Sequence, residues 1–137
     1  MARVKNLFLL TRPSNCVKNL IIFSPIFFSG DLTNLFFLKK SIFSFISFSF
    51  LTSSIYILND YIDVDHDRNH PLKKKRILAS GSVSIYEAKL MFFILSITGF
   101  IMTYFILPLD TFYIYLIYMV IMIAYCIEFR KWALIDI

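Results

Sequence analysis

The stretch Asn59-Asp60-Tyr61-Ile62-Asp63-Val64-Asp65-His66-Asp67-Arg68-Asn69-His70-Pro71 follows directly on an uncharged apolar run, Ser41 to Leu58. That run is about long enough to cross a bilayer as a helix. If the helix continues, Asp60, Asp63 and Asp67 stand at i, i+3 and i+7 and share one face, while Asp65 points elsewhere. Three carboxylates on one stripe repel each other. At ~6 Å and an effective dielectric of ~20, each neighbouring pair costs roughly 3 kcal/mol. A stripe kept at that cost points to a cation, and hard oxygen ligands completed by a phosphate are the usual way to hold Mg²⁺. Asp60, Asp63 and Asp67 are therefore candidate metal ligands. The plain alternative is a solvated helix end, against which stand Asn59 ahead of the stripe and the basic run Lys73-Lys74-Lys75-Arg76 behind it. A calcium loop does not fit, because its sixth position would be Arg68 and its twelfth Lys74. A zinc pair of His66 and His70 is disfavoured by Pro71 and by the lack of nearby cysteine ligands.

Composition places the chain in a membrane without any motif. Of its 137 residues 58% are hydrophobic and sixteen are phenylalanine, with a mean hydropathy of +0.72; soluble domains carry more charge and less apolar content. The formal charge of +5 reads as topology and anionic headgroup contact, not as nucleic-acid binding. Cys16 and Cys126 are far apart and suggest no disulfide framework. No small-residue cleavage site follows the basic N-terminus, so a removable signal peptide is not expected.

The resulting expectation is an all-α polytopic transmembrane bundle of about four spans: residues 15–34, 41–67, 85–107 and 111–128, with a loop over 68–84. The first is the weakest, since Pro25 interrupts it, and a re-entrant or interfacial segment is the alternative. Pro71 should end the second helix by about Asn69. The serines at 41, 44, 47, 49, 53 and 54 are expected to pack against neighbouring helices and to bond their own backbone. Ser84-Ile85-Tyr86-Glu87 has the capping-box pattern that announces a helix. With the N-terminus inside, twelve of the fourteen Lys and Arg fall on the inner side and only Lys39 and Lys40 outside. That bias predicts a cytoplasmic N-terminus and a cytoplasmic aspartate motif.

Asn59-Asp60-x-x-Asp63-x-x-x-Asp67 resembles the first aspartate-rich motif of the UbiA superfamily of intramembrane prenyltransferases. His70-Pro71-Leu72-Lys73-Lys74-Lys75-Arg76 followed by Ala79-Ser80-Gly81 resembles the decaprenyl-phosphate phosphoribosyltransferase branch. So do Arg12-Pro13, Val17-Lys18-Asn19 and Pro25 near the start. The chain departs from that branch at Ile77, where proline is usual, and at Cys16, where tryptophan is. The resemblance implies a bacterial plasma (inner) membrane enzyme that moves 5-phosphoribose from phosphoribosyl pyrophosphate to a polyprenyl phosphate with Mg²⁺. Asp60, Asp63 and Asp67 would hold the metal; Asn59, Lys18, Lys73, Arg76 and Tyr125 would help to bind substrate. Tyr125 with Arg130 resembles the tyrosine–basic element that follows the fourth helix, with arginine where lysine is expected, although a tyrosine of the interfacial belt is a nearly equal reading.

Two rival functions remain at this point. An aromatic prenyltransferase of the same superfamily would use the same acids on a prenyl diphosphate, and a small non-enzymatic membrane subunit would place them at a pore mouth. The resemblance also implies nine helices and a second aspartate-rich motif, which residues 1–137 lack; Asp110 and Asp136 stand alone. The expectation is therefore the N-terminal part of a nine-helix fold, inactive as an isolated piece.

Overall fold

A computed structural model describes residues 2–129, and every regular element among them is helical. Helix α1 (Ala2–Leu10) precedes a 3₁₀ helix, Pro13–Phe23, which leads into α2 (Ser24–Ser29). The long α3 (Leu35–Ile62) runs almost directly into α4 (Val64–Asn69). After the basic loop come α5 (Ile85–Ile106) and α6 (Leu109–Ala124), the latter ending in a π-helical turn, Tyr125–Phe129.

Three of these helices are long and apolar enough to cross a membrane: Leu35–Ile62, Ile85–Ile106 and Leu109–Glu128. The expected first span, 15–34, is not a single helix. It is wound as a 3₁₀ helix that restarts as α2 at Ser24, with Pro25 in the first turn of α2, where its missing N–H leaves no bond unmade. The expected count of about four spans is thus corrected to three helices long and apolar enough to cross a membrane among the described residues.

Asn34 caps α3 by accepting from the Phe36 N–H at 3.1 Å. The helix therefore starts earlier than Ser41 and takes Lys39 and Lys40 into its first turns, with Lys40 Nζ 4.3 Å from the centre of the Phe36 ring. Ser84 and Glu87 form a complete capping box at the start of α5. The serines of α3 turn inward: Ser47 Oγ donates to the Ser44 carbonyl and Ser54 Oγ to that of Leu51. Such back-bonding satisfies hydroxyls where no water is at hand.

α3 is the axis of the bundle. One apolar cluster joins Leu10, Ile57, Val64, Leu78, Val83 and Ala88, tying α1, α3, α4 and α5 together around the aspartate stretch. A second joins Leu51 and Ile55 to Tyr115, Met119 and Cys126 of the last helix. Between α3 and α5 the close approach is made at Gly99, where an added Cβ would lie 2.8 Å from Leu51 Cδ2 and 3.0 Å from the Ser47 carbonyl oxygen. Leu51 is fully buried and has no room to withdraw. Alanine would gain about 1 kcal/mol in helix propensity, but overpacking costs about 1–3 kcal/mol. Gly99→Ala is accordingly expected to destabilise by roughly 1 kcal/mol net, read as a lowered Tm in detergent; a raised Tm would show that the contact relaxes freely.

Candidate functional site

Asp60 lies in the last turn of α3, Asp63 at the junction and Asp67 in α4. The Asp63 N–H still donates to the Asn59 carbonyl at 3.1 Å, and the Asp67 N–H donates to the Asp63 carbonyl at 2.8 Å. This nearly unbroken ladder keeps the three acids on one face. All three are buried, whereas the Asp65 side chain is 89% exposed and pairs only with Arg68.

The acids face Arg76. Its Nη1 lies 2.7 Å from Asp67 Oδ2, 3.5 Å from Asp60 Oδ1 and 4.0 Å from Asp63 Oδ2. The route to that position starts at Pro71, which leaves His70 extended. His70 Nδ1 then accepts from the N–H groups of Leu72 and Lys73 at 3.2 and 3.3 Å. A single 3₁₀ turn, Lys73–Lys75, brings the chain back to Arg76. Lys73 is half-buried there, while Lys74 and Lys75 are exposed.

A second guanidinium comes from far away in the chain. Arg12 Nη2 donates to Asp60 Oδ1 at 2.5 Å, and its guanidinium carbon lies 5.3 Å from the centre of the Tyr56 ring. Its backbone is left-handed, with φ 49° and ψ 58°, a conformation that costs an L-residue about 1–2 kcal/mol. Sequence reading used Arg12 only as part of an opening-segment likeness and gave it no place in the site. A count of charge calls for more than one cationic partner to three buried acids, but nothing local in the sequence singles out Arg12.

Two guanidinium groups against three carboxylates leave one negative charge in excess. Asp67 Oδ1 is buried and receives no hydrogen bond among the described residues. The donor chemistry, hard carboxylate oxygens with surplus negative charge, fits Mg²⁺. In the arrangement seen here Arg76 is the cation at the centre, and no group of three or more acidic, histidine or cysteine side chains among the described residues is spaced around a metal position.

Beside the cluster is an open cavity of about 320 Å³ lined by Leu9, Leu10, Arg12, Asp60, Arg76 and Ile77. Its two guanidinium forks suit oxyanions of the phosphate type. Asn59 is half-buried one residue before Asp60, and its carbonyl takes the Asp63 N–H. Lys18 is exposed next to Asn19, and Tyr125 is exposed at the end of α6. Neither makes a hydrogen bond or ion pair with the cluster among the described residues, and Arg130 lies outside them. The structure therefore gathers Asp60, Asp63, Asp67 and Arg76, adds Arg12, leaves Lys73 in the turn that precedes Arg76 and leaves Lys18 and Tyr125 apart.

Fold and site define an integral membrane protein, all-helical over the described residues, with an acid–arginine cluster where α1, α3 and the basic loop meet. The chain belongs to the UbiA prenyltransferase family, whose model matches residues 23–136. It is similar to the decaprenyl-phosphate phosphoribosyltransferase of Mycobacterium tuberculosis, 30% identical over 132 residues, which cover 92% of this chain and 43% of that protein. The enzyme of the same name from Mycolicibacterium smegmatis is 29% identical over 140 residues, covering 98% and 43%. An uncharacterized protein of Sinorhizobium fredii is 30% identical over 120 residues, covering 88% of this chain and 23% of its own length. The chain thus spans less than half the length of these curated relatives.

Proposed function

We propose that the protein carrying this segment transfers 5-phosphoribose from phosphoribosyl pyrophosphate to a polyprenyl phosphate, at a site facing the cytoplasm of a bacterial inner membrane. The observation that carries this is the convergence of three buried carboxylates from one helical face on Arg76, with Arg12 closing the other side. The similarity to enzymes named decaprenyl-phosphate phosphoribosyltransferase supports the choice of donor and acceptor.

Asp60, Asp63 and Asp67 would hold Mg²⁺, whose charge offsets that of the departing pyrophosphate. Arg12 and Arg76, which pair with these acids here, would offer guanidinium forks to the same oxyanions, with Lys73 as a further point charge. The acceptor phosphate oxygen bonds to the ribose anomeric carbon as the bond from that carbon to pyrophosphate breaks. A phosphate anion needs no general base, so the acids are left to bind and orient.

The test is incubation of membranes holding the full-length gene product with labelled phosphoribosyl pyrophosphate and Mg²⁺. Label is expected in a lipid-soluble phosphosugar. Label transfer from a prenyl diphosphate to an aromatic acceptor instead would replace this reading with that of an aromatic prenyltransferase.

A further inference from the structure

The 3₁₀ helix Pro13–Phe23 lies antiparallel along α3 and touches it through three polar contacts. Arg12 meets Asp60 at its start, Cys16 Sγ lies 3.8 Å from Ser53 Oγ, and Asn19 Nδ2 donates to Ser49 Oγ at 3.1 Å and to Thr52 Oγ1 at 3.0 Å. Asn19 is itself buried, as are Ser49 and Thr52.

The spacing of these contacts depends on the winding of the segment. From Asn19 back to Arg12 is seven residues, about 14 Å at the ~2.0 Å rise of a 3₁₀ helix. On α3, from midway between Ser49 and Thr52 to Asp60 is also about 14 Å at ~1.5 Å per residue. An α-helical segment would cover only about 10 Å over the same seven residues and leave Arg12 short of Asp60 by roughly 3–4 Å. A 3₁₀ run of eleven residues is unusually long, and anchoring at both ends accounts for it.

We infer that Asn19 is a positioning residue: its paired bonds to Ser49 and Thr52 hold the stretched register that delivers the Arg12 guanidinium to Asp60. Its importance for catalysis rests on the function proposed above; its effect on register does not. Thr52 Oγ1 also donates to the Ser49 carbonyl at 3.1 Å, so losing Asn19 does not strand that hydroxyl.

The test is a double-mutant cycle on Tm in the complete, detergent-solubilised protein, crossing Arg12→Gln with Asn19→Leu. If Asn19 sets the register, Arg12→Gln lowers Tm by several degrees in the parent and by a small fraction of that in the Asn19→Leu background. Penalties that simply add overturn the inference, because a merely structural Asn19 would act independently of Arg12. The double variant S49A/T52V breaks the same clamp from α3 and must also abolish the Arg12 effect; an undiminished effect there overturns the inference as well. Crossing Asn19→Leu with Gly99→Ala, which the clamp does not touch, should be additive. In the transfer assay, Asn19→Leu is expected to raise KM for the phosphoribosyl donor several-fold with a smaller change in kcat. A cycle that collapses in a protein without phosphoribosyl transfer supports the register and removes the proposed function, so the two fail separately.

Discussion

Asparagine at Asp60 or Asp63 is expected to lower phosphoribosyl transfer by about 10²–10³-fold, the scale of losing one charged group that stabilises a developing anion. The fold should survive the change. Three carboxylates face two guanidinium groups, so neutralising one acid removes surplus repulsion instead of orphaning an arginine. At Asp60 the amide oxygen can still accept from Arg12 Nη2, the bond now seen at 2.5 Å. Tm is therefore expected to hold or rise while activity collapses, a split that a purely structural stripe would not produce. Asp65→Asn is the matched control, because that side chain is exposed outside the cluster. Full activity in D60N and D63N protein would end the metal–pyrophosphate reading.

The second large effect is on stability. Arg76 makes the one ion pair of Asp67 among the described residues, at 2.7 Å, and Asp67 is 1% exposed. Arg76→Met leaves the buried Asp67 carboxylate without that counter-ion, a change that costs about 3–5 kcal/mol in buried pairs. Arg76→Lys should recover only part of this, since the shorter lysine side chain stops short of the position of Nη1, the one nitrogen within 4.0 Å of all three acids. Combining Arg76→Met with Asp67→Asn should recover more. Denaturant or thermal unfolding in detergent reads all three, and an Arg76→Met protein as stable as the parent would show the cluster to be solvated.

Much of this was legible before any coordinates. Hydropathy alone set the helices, because a backbone in hydrocarbon must satisfy its own hydrogen bonds. The i, i+3, i+7 spacing put Asp60, Asp63 and Asp67 on one side and Asp65 on another, since that follows from 3.6 residues per turn. Pro71 ended α4 at Asn69, and Ser84 with Glu87 began α5, both local steric or hydrogen-bonding rules. The interruption of the first expected span at Pro25 was legible too, but its winding as a 3₁₀ helix was not, because that follows from contacts with α3 and not from apolar length.

What the sequence by itself determined, then, is the class of fold, the acidic face and the nearby supply of positive charge, all consequences of periodicity and composition within a few turns. Only the tertiary structure decided that Arg76 would sit among the acids, that Arg12 would join Asp60 across 48 residues of chain and that Gly99 would admit α3. Those are choices of register between separate helices. They turn on the rise of a 3₁₀ segment and on which side chains leave room, quantities that no local pattern encodes.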